Sequence, residues 1–444
     1  MFIQFNVGNF RSFKDLSQFS MEASPIRSND SGLDEANVIQ GEKIRLLKTK
    51  AVYGGNASGK SNLAIAISAF VYMVSRSVAD EGIPSKIWED RFQLADESWD
   101  EQPVFFQYIF TVKDEVYRYG FQILNNSVHY EWLFSGLENQ NELFLRTPDH
   151  KVSVNPEFFN PNDPFIIQTR ESDNELYRSD SLFLTAGALN GNALLSNIRN
   201  EIRRIIAADG AYDDSAINYA MQKFVKGNDE EKRRLTDLIK AADTGIEALE
   251  IAELPDHLIE RNSMKDTQTV EGKKKPVSLF SQHSKFNSEG QRIGKVTVRF
   301  SEWESRGTAK ILGLGSLLLD ALLDGRVMVV DEFDARLHPN LTLKIVEFFN
   351  KTDTNPHNAQ LIFITHDTTL LKRAKLRRDQ MCLVKKNKYG ISSLTNLIEF
   401  KGVRKDASYD KEYLNGTYSA IPYLEKMDWV VKQNNLEHGL QQAK

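Results

Sequence analysis

Apolar and polar residues alternate over the first twenty positions, and this period-two pattern predicts two strands. They fall around Phe2–Val7 and Leu16–Met21, with the polar turn NFRSFKD between them. The segment VFFQYIFTVKDEVYRYGFQILNNSVHYEWLF is the clearest β-region, because aromatic and β-branched runs are separated by short polar stretches that suit hairpin turns. We therefore expect an antiparallel β-lobe in the first part of the chain.

A second pattern combines buried strands with amphipathic helices, which indicates the α/β fold class. LLKTKAVY has the composition of a buried strand, and helical apolar spacing follows it, at Leu63, Ala66, Ile67, Phe70 and Val74. The pattern is helical from about Ala193 to Leu249, and α/β character returns afterwards as far as about Val384. These changes divide the chain into residues 1–160, a mainly helical insertion with a polar loop at 161–295, a second α/β part at 296–400 and a tail at 401–444.

Composition and charge narrow the class of protein. Hydrophobic residues make up 41% of the chain and charged residues 26%, which is ordinary for a soluble globular protein. No apolar run reaches the length of a membrane span, the N-terminus does not resemble a signal peptide, and Cys382 is the single cysteine. We expect a cytoplasmic protein without a membrane partner, in which Cys382 is a small core residue.

The net charge of −5 means that any contact with DNA must come from a local basic patch. The densest basic stretch is KRAKLRRDQ, residues 372–380, and a shorter run is Lys273–Lys275. Residues 372–380 could track phosphates if they form one exposed stripe, and they could equally be a solvated helix end or an interface with another protein. The run Lys273–Lys275 is more often a solvated face than a phosphate contact.

The stretch YGGNASGKSNL carries the first candidate chemistry. Gly54 to Ser61 fits the pattern G-x-x-x-x-G-K-[ST], in which backbone N–H groups cradle phosphates, Lys60 reaches the β- and γ-oxygens and Ser61 binds Mg²⁺. A glycine-rich turn without a ligand would not need the Lys-Ser pair. The candidate nucleotide-binding residues are Gly54, Asn56, Ala57, Ser58, Gly59, Lys60, Ser61 and Asn62.

Two more strands end in residues that suit hydrolysis of a nucleoside triphosphate. Asp331 and Glu332 close the run RVMVVDE, where Asp331 is placed to hold Mg²⁺ and Glu332 to deprotonate the attacking water. His366 ends the strand QLIFITH and could reach the γ-phosphate or that water, although a histidine at a strand end is often only structural. Because ligands collect at the carboxyl ends of parallel strands, we expect these residues to converge with Lys60.

A helix is expected to begin in the segment ESRGT, residues 304–308, and to stop near Gly325. Ser305 and Gly307 at a helix N-terminus suit an anion, and a plain N-cap would explain Ser305 or Thr308 equally well. The order along the chain favours the anion: P-loop, helix start, acidic strand end, and then histidine.

In this order the chain resembles the SMC/ABC-like "AAA" ATPases of prokaryotic anti-phage defence and abortive-infection operons, of the RloA/AbiL type. These proteins are related to the ATPase part of the overcoming-lysogenization-defect proteins. The resemblance covers nearly the whole chain and is weakest in the insertion. The segments that carry it are NFRSF (9–13), YGGNASGKSNL (53–63), YRYGF (117–121), ESRGT (304–308), VVDEFDARLHP (329–339), QLIFITHDTTLL (360–371), LRRDQ (376–380) and, less distinctively, VRKDASYDKEYLNGTYSAIP (403–422).

The resemblance implies an ABC-type P-loop ATPase head, with 1–160 and 296–400 as its two halves, that binds ATP and Mg²⁺. It also implies a homodimer or a higher homo-oligomer in which Ser305 and Gly307 of one subunit cover the γ-phosphate held by the other. Arg306 and His338 depart from the transporter pattern, which argues against a transporter subunit. Arg11 is a candidate phosphate contact or a surface residue, and Gln93 is a candidate Mg²⁺ sensor.

For function, the resemblance implies a slow, regulated ATPase that acts as the switch or sensor of a defence system and controls a separate effector, such as a nuclease. Only 78 residues follow His366, and they lack the acidic clusters of a Toprim nuclease. The alternative is an SMC-like DNA-repair or chromosome-maintenance head that binds DNA, but no long coiled-coil arm interrupts the interval from Lys60 to Glu304. A stand-alone kinase or metabolic enzyme would leave the segment ESRGT without a role.

Overall fold

The computed structural model describes residues 1–26, 31–41, 43–137, 140–171, 177–210, 214–242, 244–254, 276–401, 408–418 and 420. Lys273–Lys275 and most of the tail from 401 onward lie outside these ranges. The strands are β1 Phe2–Gly8, β2 Ser17–Ser20, β3 Val38–Ile39, β4 Leu46–Leu47, β5 Thr49–Gly54, β6 Val104–Val112, β7 Glu115–Leu124, β8 Ser127–Ser135, β9 Asn141–Arg146, β10 Val152–Val154, β11 Ile206–Asp209, β12 Ile246–Glu253, β13 Val277–Phe286, β14 Arg292–Arg299, β15 Val327–Asp331, β16 Gln360–Ile364, β17 Met381–Lys386 and β18 Ser392–Asn396.

The α-helices connect and cover these strands. They are α1 Ser31–Ala36, α2 Lys60–Arg76, α3 Ile83–Glu89, α4 Pro164–Glu171, α5 Phe183–Leu189, α6 Ala193–Ile202, α7 Asp214–Lys226, α8 Asp229–Ala241, α9 Phe300–Trp303, α10 Arg306–Asp324, α11 Pro339–Asn350, α12 Thr368–Arg373 and α13 Tyr409–Leu414.

The N-terminal strands form an antiparallel sheet of seven strands in the order β10-β9-β8-β7-β6-β1-β2. The hairpin between β6 and β7 turns at Lys113 and Asp114, and the one between β7 and β8 turns at Asn125. These three residues have positive φ angles of 48°, 68° and 55°, the left-handed conformation that tight hairpin turns require. The β-lobe that the alternating pattern predicts is therefore present.

The second sheet has six strands in the order β11-β15-β16-β5-β17-β18. Neighbours from β11 to β17 are parallel, and β18 returns antiparallel to β17. All six residues of β5 are buried, as expected for a strand inside a parallel sheet. This arrangement confirms the α/β class.

Helix α2 lies between the two sheets. Its Phe70 stacks on Phe121 of β7 with ring centroids 5.4 Å apart and meets Phe5 of β1 edge-on at 5.6 Å. Residues of α2 share one apolar cluster with both sheets, including Val52 of β5. Helices α10, α11 and α12 cover the opposite face of the six-stranded sheet. The result is a layered core that places the start of α2 at the carboxyl end of β5.

The insertion contains more β-structure than the sequence indicates. The run LLSNIRNEIRRIIAAD looks like one helix, but α6 ends at Ile202 and Ile206–Asp209 forms β11. This strand pairs in parallel with β15, so that Asp209 lies opposite Asp331. Strands β12, β13 and β14 form a separate antiparallel sheet that packs with α7 and α8. A four-residue strand is too short for its pattern to reveal it, because pairing with β15 decides its conformation.

Two expectations have clear outcomes, one for Cys382 and one for the basic stretch 372–380. The Cys382 thiol is buried, and burial raises its pKa to about 11, as expected for an unreactive core thiol. Residues 372–380 do not form one exposed basic stripe, because the Arg377 side chain is fully buried and pairs with Asp34 and Asp379.

Within the described ranges, each helix is too short or too polar to cross a membrane.

Candidate nucleotide site

The P-loop connects the buried strand β5 to the first residue of α2. Gly59 precedes the helix with a φ of 101°, a conformation that strongly favours glycine. A Cβ atom at this position would lie 2.3 Å from the Ser392 hydroxyl and 2.5 Å from the Ser12 hydroxyl. The second glycine of the motif is therefore required both by its backbone conformation and by the close approach of two neighbouring segments.

Lys60 is 6% exposed and its ammonium group points back into the loop. It donates hydrogen bonds of 2.9 Å to the carbonyl oxygens of Gly54 and of Gly55. Burial lowers the pKa of Lys60 to about 8, even though Asp331 and other nearby carboxylates act in the opposite direction. An anion in the cleft would add countercharge beside this buried cation and favour its charged form.

Two serine hydroxyls hold the loop, one from the N-terminal turn and one from β18. The Ser392 hydroxyl on β18 donates to the carbonyl oxygen of Ser58 at 2.6 Å and accepts from the Ser12 hydroxyl at 2.8 Å. The Asn62 amide donates to Ser12 at 2.6 Å. These hydrogen bonds attach the turn NFRSF, residues 9–13, to the P-loop. They give this turn a physical role in supporting the P-loop.

Arg11 belongs to the same turn but is engaged elsewhere. Its φ is 50°, and its guanidinium group pairs with Asp90 at 3.1 Å in a half-exposed contact. Its Nε atom is buried and has no hydrogen-bond partner within the described ranges. Arg11 does not line the cleft, so a phosphate contact would require it to leave Asp90.

The acidic residues follow β15, the second neighbour of β5 in the sheet. Glu332 has a φ of 45°, a strained conformation for a residue with a side chain, and its N–H donates to Asp331 Oδ1 at 3.0 Å. Asp334 accepts hydrogen bonds from the Thr365 hydroxyl at 2.5 Å and from the N–H of His366 at 3.2 Å. Asp334 therefore links the turn after β15 to the end of β16.

His366 lies at the end of β16, between the acidic residues and the P-loop. Burial and the positive charge of Lys60 lower its pKa, and the surrounding carboxylates only partly oppose this. Its imidazole ring is therefore neutral at neutral pH, able to donate from one ring nitrogen and accept at the other.

The strand ends converge on one cleft of about 380 Å³. The sequence-predicted residues and two further ones line it together: Asn56, Ala57, Ser58, Gly59, Lys60, Ser61, Asn62, Asp331, Glu332, Ile364, His366 and Lys386. Gly54 does not line the cleft, and its carbonyl oxygen accepts a hydrogen bond from the Lys60 ammonium group. Gln93 is not part of the lining, and its exposed side chain donates to the carbonyl oxygen of Glu89.

Ser305 and Gly307 lie outside the cleft of their own chain. Ser305 caps α10, since its hydroxyl accepts a hydrogen bond from the N–H of Thr308 at 3.0 Å and the residue remains exposed. A Cβ atom at Gly307 would lie 3.1 Å from the carbonyl oxygen of Arg336, so the start of α10 packs closely on the loop after β15. Within a single chain, Ser305 therefore acts as the N-cap of α10.

Sequence reasoning missed Ser12, Asp334, Lys386 and Ser392. The residues DEFD already showed a second aspartate three positions after Asp331, which was a usable signal for Asp334. Lys386 ends β17, which is paired with β5 so that Val384 lies opposite Gly54. Ser12 and Ser392 are 380 positions apart, and no local pattern connects them.

The residues present fit a nucleoside triphosphate with Mg²⁺. The Ser58 hydroxyl is buried, has no hydrogen-bond partner among the residues that the structure describes and lines the cleft, which leaves it available to a ligand. Ser61 and Asp331 line the same cleft and supply a hydroxyl and a carboxylate. In the described part of the chain, no three His, Cys or carboxylate side chains gather into a metal group. Mg²⁺ in phosphate sites needs only one or two protein oxygens in addition to phosphate and water.

This fold and cleft define a P-loop protein of the α/β ATPase class. Residues 51–372 match the family described as "AAA domain, putative AbiEii toxin, Type IV TA system", and the chain belongs to this family. The match extends from β5 to α12 and includes the P-loop, α10, the acidic strand end and His366. A search of curated proteins finds no match. The family places the chain among AAA-type, nucleotide-binding proteins of toxin–antitoxin and abortive-infection systems.

Proposed function

We propose that this protein binds ATP with Mg²⁺ and hydrolyses it slowly. The observation that carries the proposal is the convergence of three strand ends on the cleft. Strand β5 supplies the P-loop, β15 supplies Asp331 and Glu332, and β16 supplies His366. This is the edge at which open α/β sheets bind their ligands, and it combines phosphate-binding groups with a base.

Each side chain that lines the cleft has a role that follows from its chemistry. Lys60 would exchange its two carbonyl acceptors for phosphate oxygens. Ser61 and Asp331 would hold Mg²⁺, which would supply positive charge to the phosphates. The Glu332 carboxylate accepts a proton from the attacking water. The neutral imidazole of His366 donates a hydrogen bond to the γ-phosphate or to that water, and Asp334 fixes the backbone N–H of the same residue.

We further propose that the active form is an ATP-bound pair of ABC-type heads. Ser305 is exposed at the N-terminus of the 19-residue helix α10 and lies outside its own cleft. Two chains related by a twofold axis would place each Ser305 and Gly307 over the nucleotide of the partner. Hydrolysis would weaken this interface, because the γ-phosphate is part of it.

In the biological setting, we propose a switch that controls a separate toxic effector during anti-phage defence. The family description, which names a toxin within a toxin–antitoxin system, supports this setting. The ATP-bound pair would hold the effector in one state, and hydrolysis would release it. The effector would be recovered by co-purification with whichever nucleotide state retains it.

The pairing is tested by light scattering on Glu332→Gln, with and without ATP and Mg²⁺. We expect the mass to double with ATP, since binding is kept while turnover is lost. Ser305→Arg in the same background is expected to stay monomeric and still bind nucleotide. Ser305→Ala is the matched control, because it loses the same N-cap, worth about 1 kcal/mol, without adding bulk.

A mass that ATP leaves unchanged in Glu332→Gln would contradict ATP-dependent pairing. If Ser305→Arg instead lost nucleotide binding as a monomer, the role of Ser305 in the partner's site would be wrong. Pairing by Ser305→Arg as complete as that of Glu332→Gln alone would also exclude that role.

A further inference from the structure

Lys310 lies in the second turn of α10 and belongs to none of the sequence motifs, but it contacts the turn that carries Glu332. Its ammonium group donates to three backbone oxygens of that turn. The distances are 3.2 Å to Glu332 O, 3.0 Å to Phe333 O and 2.6 Å to Ala335 O. All three N–H groups of one lysine are thereby directed at the turn after β15.

This turn needs an external partner because its backbone is strained and its carbonyl groups converge. Glu332 has a φ of 45° and Arg336 a φ of 61°, and both residues have side chains. Non-glycine residues keep such conformations only where the surrounding structure imposes them. A single cation that bonds three of these carbonyl oxygens imposes the conformation directly.

Gly210, just after β11, contacts the same turn beside Lys310. The N–H of Gly210 donates to Asp331 O at 2.7 Å. A Cβ atom on Gly210 would lie 2.5 Å from Glu332 O and 2.9 Å from the Lys310 ammonium nitrogen. Lys310 fits against these oxygens only because residue 210 has no side chain, so the packing around the ammonium group is tight.

The contact joins a cationic ammonium group to backbone oxygens. Burial lowers the pKa of Lys310 to about 8, and the positive charge of Arg336 acts in the same direction. The carboxylates of Asp334, Glu332 and Asp209 act to raise this pKa but do not outweigh burial. The ammonium group is therefore charged below about pH 8. Its three acceptors are carbonyl oxygens, so this contact leaves the Glu332 carboxylate available for water.

We propose that Lys310 is a positioning residue for hydrolysis, which holds the turn after β15 so that the Glu332 carboxylate meets the attacking water. Lys310 lies five residues after Ser305, near the start of α10. It therefore also links the turn after β15 to the Ser305 surface, which is proposed to contact the partner subunit. This inference rests on the proposed ATPase function. It predicts that Lys310 acts on turnover and not on nucleotide affinity.

The experiment compares Lys310→Met, which keeps the length and loses the charge, with Lys310→Arg, which keeps a charged donor. Lys344→Met on α11 is the matched control, since Lys344 is half-exposed and its contacts, with Glu347 and the Phe348 ring, are to its own helix at the surface. We measure kcat and KM for ATP, the Kd for a fluorescent ATP analogue with Mg²⁺, and the thermal midpoint of each variant. If Lys310→Met does not fold, Lys310→Gln takes its place.

We expect kcat of Lys310→Met to fall by about 30- to 100-fold, the scale of a displaced catalytic group, with Kd within about 2-fold of wild type. Lys310→Arg is expected to recover part of kcat, and Lys344→Met to match wild type. In the Glu332→Gln background, Lys310→Met should cost no further rate, because it acts through Glu332.

An unchanged kcat in Lys310→Met, or a loss confined to Kd, would overturn the inference. So would a further rate loss in the Glu332→Gln background, which would show that Lys310 acts independently of Glu332. Wild-type protein without turnover would refute the proposed ATPase function itself, and the two failures are therefore distinguishable.

Discussion

Two lysines of this protein occupy similar environments and are predicted to do different work. Lys60 and Lys310 are both substantially buried, both have a pKa lowered to about 8 by burial, and both donate to backbone carbonyl oxygens. Lys60 lines the cleft, so phosphate oxygens can replace its acceptors. Lys310 lies outside the cleft lining and has three acceptors in one strained turn.

The comparison shows that a depressed lysine pKa does not by itself identify a ligand-binding group. The acceptors decide the role. Lys60 lines the cleft, so a ligand there can draw its ammonium group away from two carbonyl oxygens of the P-loop. Lys310 instead bonds three oxygens of a turn closed by Gly210, which is a structural contact. Predictions that separate affinity from turnover therefore test the comparison directly.

The largest effect is expected for Lys60→Ala. Charge-assisted hydrogen bonds contribute about 1.5–3 kcal/mol each, so losing two of them to phosphate should weaken ATP binding by at least about 100-fold. The measurement is the Kd for a fluorescent ATP analogue with Mg²⁺. Lys388→Ala in the turn after β17 is the control and should bind like wild type. Wild-type affinity in Lys60→Ala would remove Lys60 from the site.

The second effect is a loss of ATP affinity at high pH. The pKa of Lys60 in the nucleotide-free protein is about 8, so the charged form that ATP requires is dominant below pH 8 and is lost above it. The Kd should be level from pH 7 to 7.5 and should then rise, approaching about tenfold per pH unit above 8. The rise should persist in Lys310→Arg, because Lys310 lies outside the cleft. Its disappearance in that variant would mean that the two lysines had been assigned the wrong roles.

The smallest effect is expected for Lys386→Met. Lys386 lines the cleft on the β17 side, whereas Asp331 and Glu332 lie on the β15 side of β5. We expect an exposed cation there to meet a part of the nucleotide that does not react. Its loss should raise Kd about 3- to 5-fold and leave kcat unchanged. Lys388→Met is the control, and a change in kcat alone would contradict this placement.

Local patterns in the amino-acid sequence predict most of the cleft. The strand before Gly54, the helix after Lys60 and the acidic end of β15 all follow from apolar periodicity and one motif. Because parallel strands gather their carboxyl ends at one edge, the convergence of Lys60, Glu332 and His366 also follows from topology.

The supporting contacts could not be predicted in the same way, because they join segments that are far apart in the chain. Ser12 meets Ser392 across 380 positions, and Lys310 reaches a turn 22 to 25 positions away. Arg377 shows the same limit. Its basic neighbours left an exposed stripe, a solvated helix end and a protein interface open, and only the distant Asp34, together with Asp379, shows that its side chain lies in the interior.

The most direct test of the account is a single-turnover experiment on Glu332→Gln with radiolabelled ATP and Mg²⁺, beside a Kd measurement on the same protein. The account assigns Glu332 to the proton transfer and Lys60 to binding. It therefore predicts wild-type affinity, with phosphate release slowed by about 100-fold or more. Phosphate release at the wild-type rate would contradict the assignment of Glu332 as the base. A loss of affinity instead would place Glu332 among the groups that bind the nucleotide.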